Sequence, residues 1–209
     1  MKALLFNGSP HEKGCTFAAL SEIARVLVEQ GVDSEIVWLG NKPVRDCIGC
    51  GGCKKTGKCV FTDDEVNAWI DRAAHADGFV FGTPVYYTHP TGRILSIMDR
   101  LFYAGGASFA LKPAAVVAVA RRAGTTATLD ALTKHLTINR MPVVSSTYWN
   151  MVHGAKAGDT AYDEEGLQTM RNLARNMAWL IKCVDAGRRA GIEPPQAELG
   201  ARTNFIRND

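Results

Sequence analysis

The hydrophobic positions of this chain form short runs that alternate with longer amphipathic stretches. Five runs, mostly β-branched or aromatic and bounded by Gly, Pro or polar residues, predict buried strands. These runs are Lys2–Asn7, Ser34–Leu39, Gly78–Gly82, Ala114–Ala120 and Pro142–Thr147. Helical spacing of apolar residues predicts helices at Thr16–Gln30, Asp63–His75, Arg93–Tyr103, Thr126–Asn139 and from Asp163 to roughly Gly187. A helix therefore follows each strand.

This alternation predicts the fold class. Strands separated by helices of about ten residues or more need crossover connections, which give a parallel sheet covered on both faces. We therefore predict an α/β fold, a doubly wound three-layer αβα domain with a five-stranded parallel sheet in the flavodoxin-like order 2-1-3-4-5. Ligands on such sheets bind beyond the carboxyl ends of the strands, where the strand order reverses. The domain is predicted to cover residues 1–189, and the non-periodic segment 190–209 is predicted to be a C-terminal tail.

The amino-acid composition indicates which binding partners and which cellular compartment the sequence favours. The chain has 24 basic and 21 acidic residues, a net charge of +3 that is too balanced to favour a nucleic-acid or membrane partner. No apolar stretch is long enough for a signal peptide or a membrane span, so the sequence predicts a cytoplasmic protein. Six cysteines, four of them between positions 47 and 59, indicate metal or redox chemistry in a reducing compartment.

The segment after the first strand has the residue types of an anion site. Gly8 to Gly14 lead directly into a helix, whose N-terminal N–H groups and dipole favour a phosphate. The loop lacks the Gly-Lys-Ser/Thr ending of a P-loop and the G-x-G-x-x-G spacing of a dinucleotide fold, which argues against ATP and tightly bound NAD. An ordinary strand-to-helix turn with Thr16 as helix N-cap is the alternative interpretation. The candidate phosphate-site residues are Ser9, His11, Cys15 and Thr16.

Two segments together resemble a known family. Gly8-Ser9-Pro10, followed by Thr16, and Gly82-Thr83-Pro84-Val85-Tyr86, followed by Thr91-Gly92, resemble the signature of the NADPH-dependent FMN reductase branch of the flavodoxin-like superfamily. The resemblance covers roughly residues 1–151 and implies FMN as the cofactor. It implies flavin contacts from two further loops, at Pro84, Val85, Tyr86, Tyr87 and Thr88, and at Arg121 and Gly124. Partly buried aromatics and a solvated basic turn are the alternative interpretations of these loops.

The cysteine-rich loop at 47–59 has the spacing C-x2-C-x2-C-x5-C. Glycines at 49, 51 and 52 allow the backbone to curl so that the thiolates converge, and lysines at 54, 55 and 58 offset their negative charge. The spacing resembles the compact motif of the iron-sulfur flavoproteins, which carry FMN and a [4Fe-4S] cluster on this fold. The resemblance implies four cluster ligands, Cys47, Cys50, Cys53 and Cys59. Tetrahedral zinc and uncoordinated thiols with one redox-active pair stay open as alternatives.

We therefore expect an FMN-dependent NAD(P)H oxidoreductase or electron-transfer flavoprotein, in which the flavin is the reactive group and no side chain is catalytic. Its electron donor is expected to be NAD(P)H or a ferredoxin-like protein, and its acceptor a quinone, a peroxide or another small molecule. The resemblance implies a homodimer or homotetramer. The alternative is a non-enzymatic redox-sensing or zinc-stabilised interaction module, although such a module has no need for both flavin loops.

Overall fold

The sheet is the centre of the molecule. A computed structural model describes residues 1–201 and 203 of the chain. Its strands are β1 (Lys2–Asn7), β2 (Asp33–Trp38), β3 (Gly78–Tyr86), β4 (His89–Pro90), β5 (Ala114–Ala120) and β6 (Met151–His153). Five of them are parallel in the order β2-β1-β3-β5-β6, and the two-residue β4 pairs antiparallel with the end of β3. Without β4 in the count this is the order 2-1-3-4-5, so the predicted fold is confirmed.

Helices cover both faces of this sheet. They are α1 (Cys15–Glu29), α2 (Cys53–Thr56), α3 (Val66–Ala74), α4 (Gly92–Phe109), α5 (Thr125–Ile138) and α6 (Glu164–Arg189), with a 3₁₀ turn at Asp159–Tyr162. Among the described residues, no helix is both long and apolar enough to cross a membrane. The described part of the predicted tail, 190–201 and 203, contains no helix or strand, and residues 202 and 204–209 lie outside the described residues. The domain boundary at residue 189 therefore stays a prediction.

Two hydrophobic cores lie on opposite faces of the sheet. Successive side chains of a strand point to opposite faces, so Leu4 and Phe6 pack with α3, α4 and α5, whereas Ala3 and Leu5 pack with α1 and α6. All four side chains are buried. The strands are covered by core side chains on both faces, and this explains why they appear in the sequence as continuous apolar runs.

The fifth predicted strand, Pro142–Thr147, is wrong. Only Val143 bridges to β5, at Ala114. The following residues turn toward α6, where Asn176 Nδ2 donates to Ser145 O at 2.9 Å and Ser146 Oγ donates to Thr169 O at 2.7 Å. The chain returns to β5 as the three-residue β6, which is too short to produce a sequence pattern.

Helix α4 is longer than predicted. The predicted end is Tyr103, but the helix continues to Phe109 with a kink at Gly105. Phe109 is fully buried and its ring centroid lies 4.6 Å from that of Phe79. This core contact outweighs the low helix propensity of two glycines. The helix predicted from Asp63 begins at Val66, and α2 was not predicted.

Candidate active site

A cleft of about 790 Å³ opens beyond the carboxyl ends of β1, β3 and β5. Its volume lies within the range of about 300–1,000 Å³ that is typical of small-molecule sites. Strand β1 has β2 on one side and β3 on the other, so the cleft lies where the strand order reverses. Eight predicted flavin-site residues line it: Ser9, His11, Cys15, Thr16, Pro84, Val85, Tyr86 and Arg121.

The loop after β1 is shaped by the fully buried Asn7. The Asn7 Oδ1 atom accepts a hydrogen bond from Ser9 N at 3.1 Å, and its Nδ2 donates to Glu12 O at 3.0 Å. Ser9 Oγ in turn accepts from His11 N at 3.1 Å. These bonds fold the loop back on itself before the helix begins.

The N-terminus of α1 faces this cleft with free donors. Its N-cap is Gly14, no side chain caps it, and its first turn contains no acidic residue. The first N–H groups of a helix have no partner within the helix, so they are available to an anion. Thr16 is not the N-cap but lies inside the helix, where it is 1% exposed. This arrangement fits a phosphate monoester such as that of FMN.

The second wall of the cleft is a tight hairpin formed by β3 and β4. Val85 pairs with Pro90, and Tyr86 pairs with His89. Burial raises the pKa of the Tyr86 phenol. The predicted contacts Tyr87 and Thr88 form the hairpin tip and do not line the cleft, and Tyr87 has a positive φ of 61° with its side chain fully exposed.

The third loop follows β5 and supports the second. Gly124 does not line the cleft, but it has a φ of +91°, and a Cβ built on it lies 2.7 Å from Val85 Cγ1 and 3.4 Å from Thr88 O. Gly124 therefore allows the third loop to approach the hairpin closely. Arg121 brings a positive charge to the cleft.

Two parts of the cleft were not predicted. Trp38, at the end of β2, donates from Nε1 to Ser9 O at 2.8 Å and so fixes the first loop. The segment 154–157, after β6, closes the opposite side, where Cys15 Sγ donates to Lys156 O at 3.0 Å. Burial and the nearby charge of Asp159 raise the pKa of the Cys15 thiol. The sequence signal for Trp38 was its position at the carboxyl end of a strand beside β1.

The four predicted ligand cysteines line one separate cavity of about 280 Å³. All four are free thiols, and Cys50 is exposed. Gly49 and Gly51 have φ values of 64° and 71°, so the predicted need for glycine in the curl is met at these two positions. Gly52 has ordinary helical φ/ψ, and a Cβ on it would lie 2.6 Å from Val60 Cγ1, so it permits close packing.

Cys59 is held more firmly than a loop residue usually is. Asn67, on α3, accepts from Cys59 N at 2.7 Å and donates to Cys59 O at 2.9 Å and to Phe61 O at 3.1 Å. The Cys59 sulfur accepts a hydrogen bond from Arg100 Nε at 3.2 Å. Backbone and sulfur of this cysteine are thus both fixed by side chains from helices.

A cation that contacts one of the cysteine sulfurs was not predicted. Arg100, on α4, has a fully buried side chain that also pairs with Asp64. Burial alone lowers the pKa of the guanidinium, but its hydrogen bonds to Asp64 and Cys59 more than offset this, so the pKa of Arg100 lies above its ordinary value. Of the three lysines expected to offset thiolate charge, only Lys54 lines the cavity, and Lys58 pairs with Asp71 instead.

The donor set of this cavity fits an iron-sulfur cluster. Within the described residues, no three His, Cys, Asp or Glu side chains are arranged to hold a single metal ion. Tetrahedral zinc needs four sulfurs around one atom, whereas in a [4Fe-4S] cluster each cysteine binds a different iron, so the sulfurs surround a volume. Four thiols that line a common cavity match the second case in number and chemistry.

The chain is similar to several known flavoproteins. A family model described as NADPH-dependent FMN reductase matches residues 1–156. The chain is 30% identical over 192 residues to an iron-sulfur flavoprotein of Methanocaldococcus jannaschii, covering 88% of this chain and 99% of the relative. It is 24% identical over 192 residues to an iron-sulfur flavoprotein of Methanosarcina thermophila, covering 90% of this chain and 99% of that protein.

The fold also has counterparts among solved structures. A flavodoxin from the domain Archaea superposes with a TM-score of 0.59 at 15% identity, covering 87% of this chain and 99% of that one. The family model spans well over half of the chain, and the resemblance at Gly8-Ser9-Pro10 and Pro84-Val85-Tyr86 is confirmed. The chain therefore belongs to the NADPH-dependent FMN reductase family, and it is an FMN-dependent oxidoreductase with a flavodoxin-like fold.

Proposed function

We propose that this oxidoreductase is a two-cofactor electron relay. It takes electrons from NAD(P)H or a ferredoxin-like donor and delivers them to a quinone, a peroxide or another small acceptor. The observation that carries the proposal is the pair of sites on one chain: a cleft with an open helix N-terminus, and a cavity lined by four free thiols. Family membership decides against the non-enzymatic module.

Different residues of the cleft bind different parts of FMN. The N–H groups at the start of α1 and the Ser9 loop receive the phosphate, since they supply donors and the first turn of α1 contains no acidic residue. Pro84, Val85 and Tyr86 give the flat ring an apolar wall. Arg121 contributes a positive charge, which favours a cofactor that becomes more negative on reduction. When bound, FMN supplies electron transfer in pairs or singly.

The cysteines are proposed to hold a [4Fe-4S] cluster, which supplies one-electron transfer. The spread of four thiols around one cavity supports this, and so do the iron-sulfur flavoproteins among the relatives. Asn67 and Arg100 hold Cys59 in place. A one-electron centre on the same chain as a flavin suits a protein that links single-electron carriers to two-electron acceptors.

The proposal also covers the cellular location and the oligomeric state of the protein. Six free cysteines support a reducing, cytoplasmic location. The ring centroids of Tyr148 and Trp149 lie 5.2 Å apart with the rings tilted by 56°, just before the edge strand β6. Both side chains are more than half exposed, which supports an interface in a homodimer or homotetramer. Neither a nucleic acid nor a membrane is proposed as a partner.

Electron-transfer assays on anaerobically purified protein test the relay. We expect the bound flavin to be reduced by NADPH, NADH or a reduced ferredoxin, and to be reoxidised by a quinone or peroxide. Cys53→Ser is expected to slow reduction by ferredoxin much more than reduction by a nicotinamide. Cys183→Ser, which alters an exposed thiol on α6, is the matched control. A flavin that no donor reduces would contradict the proposal.

A further inference from the structure

We propose that Arg100 is a positioning residue that sets the reduction potential of the cysteine-bound cluster, by donating from Nε to the Cys59 sulfur. The inference rests on the proposed function, because it assumes that the four cysteines hold a cluster. Arg100 is not one of the predicted ligands but contacts one of them, and it lies 41 positions after Cys59 in the sequence. Arg100 lines the cysteine cavity but is not part of the cysteine motif.

The burial of Arg100 needs an explanation. Its side chain has no exposure, although arginine is almost never fully buried unless it is paired. It lies on α4 among core residues such as Ile97 and Leu101. A buried guanidinium at this position costs desolvation free energy, which its partners must offset.

Asp64 holds the guanidinium in a defined orientation. Its carboxylate accepts from Arg100 Nη1 at 2.5 Å and from Nη2 at 3.0 Å, and Nη1 also donates to Arg45 O at 3.3 Å. The Phe61 ring lies 5.2 Å from the guanidinium carbon. Because Asp64 occupies the outer two nitrogens, the Nε–H is left to point at Cys59 Sγ, 3.2 Å away.

This geometry acts on the sulfur electronically. A hydrogen bond to a ligating sulfur and a nearby positive charge both stabilise the more negative, reduced form of an iron-sulfur cluster, and so raise its reduction potential. The Arg100 side chain has no exposure, so its charge is poorly screened by water. Lysine has no planar fork and cannot bind a carboxylate and direct an N–H at a sulfur in this way.

Arg100→Gln, Arg100→Lys and the control Arg93→Gln test the inference in the cofactor-loaded protein. Arg93 lies earlier on α4, is partly buried, and donates to Leu39 O at 3.5 Å rather than to a cysteine. Iron, sulfide and FMN are assayed in each preparation, and the cluster and flavin potentials are measured by anaerobic redox titration followed by electron paramagnetic resonance and visible absorbance. The melting temperature of each variant is recorded in parallel.

We expect Arg100→Gln to shift the cluster potential to a more negative value while the flavin potential and FMN content stay unchanged. Arg100→Lys is expected to fall between wild type and Arg100→Gln, because the charge returns without the Nε–H. Arg93→Gln is expected to match wild type. If Arg100→Gln does not retain a cluster, the cluster potential is compared between wild type and the charge-conserving Arg100→Lys.

Two results separate the inference from the proposed function. A wild-type protein with FMN but no iron or sulfide overturns the cluster, and with it the role of Arg100. A wild-type protein with a cluster whose potential is the same in both Arg100 variants overturns the role of Arg100 alone. A lower melting temperature without a change in potential assigns Arg100 a purely structural role and also overturns the inference.

Discussion

The ion pair of Asp64 and Arg100 is the residue-level feature with the largest expected effect on stability. Asp64→Asn preserves volume and keeps Oδ1, which accepts from Val66 N at 3.2 Å, but it leaves the buried guanidinium without a counter-charge. Removing one partner of a buried pair costs about 3 kcal/mol. We expect the free energy of unfolding, measured in urea on cofactor-free protein, to fall by about that amount.

The control is a pair on the surface. Asp185 and Arg189 lie one helical turn apart at 2.7 Å, with side chains 36% and 74% exposed. Asp185→Asn is expected to cost about 0.5 kcal/mol at most, because exposed pairs contribute little. If Asp64→Asn and Asp185→Asn lower the free energy of unfolding by equal amounts, burial does not determine how much these ion pairs contribute to stability.

Gly124 gives a residue-level test of the flavin cleft. Gly124→Ala places a Cβ 2.7 Å from Val85 Cγ1 at a φ of +91°, so either the third loop or the Val85 wall must move. A shift that costs about 1.4 kcal/mol of binding free energy weakens the dissociation constant for FMN about tenfold. Flavin fluorescence quenching during titration of cofactor-free protein measures this constant.

Gly31→Ala is the matched control for backbone strain. Gly31 also has a positive φ, +74°, but nothing lies within 4 Å of an added Cβ, and the residue follows α1 at the end remote from the cleft. We expect Gly31→Ala to lower stability by about 1–2 kcal/mol with unchanged FMN affinity. If Gly124→Ala also leaves the affinity unchanged, its loop does not shape the cleft.

At the scale of elements, the sequence predicted those strands that the core encloses on both faces. The run Ala114–Ala120 matches β5 at both ends, since every one of its residues is buried. Pro142–Thr147 contains two valines but ends in Ser-Ser-Thr, and hydrogen bonds from α6 side chains draw it off the sheet. The pattern of apolar residues indicates which positions are buried, but it does not indicate which element buries them. Tertiary contacts therefore determine the structure of this segment.

The kink of α4 gives a test at this scale. Gly105→Ala raises helix propensity, but its Cβ would lie 2.6 Å from Ile70 Cγ2 on α3. Overpacking of this kind costs about 1–3 kcal/mol, which exceeds the gain in propensity. We expect lower stability in urea, partly restored by Ile70→Val. Gly92→Ala, at the exposed start of α4 with no atom within 4 Å, is expected to be neutral, and a stabilised Gly105→Ala would contradict the packing argument.

At the scale of the whole molecule, the sites could be predicted only as far as local sequence encodes them. The cysteine spacing and the Gly8-Ser9-Pro10 loop are local, and the structure brings the residues of each into one cleft or cavity. Tyr87 was predicted to contact flavin, but the β3–β4 hairpin turns it outward. Arg100 was not singled out, because its contact with Cys59 depends on how α4 packs beside the cysteine loop.

The central claim is that one chain holds both FMN and a cluster of four irons. The most direct test is to purify the protein without oxygen and to assay FMN, iron, sulfide and zinc on one sample, with its visible spectrum. We expect flavin bands with a broad iron-sulfur shoulder, one FMN and about four irons per chain, with the iron lost in Cys53→Ser and kept in Cys183→Ser. FMN without iron, or zinc in place of iron, would contradict the cluster, and protein without flavin would contradict the account as a whole.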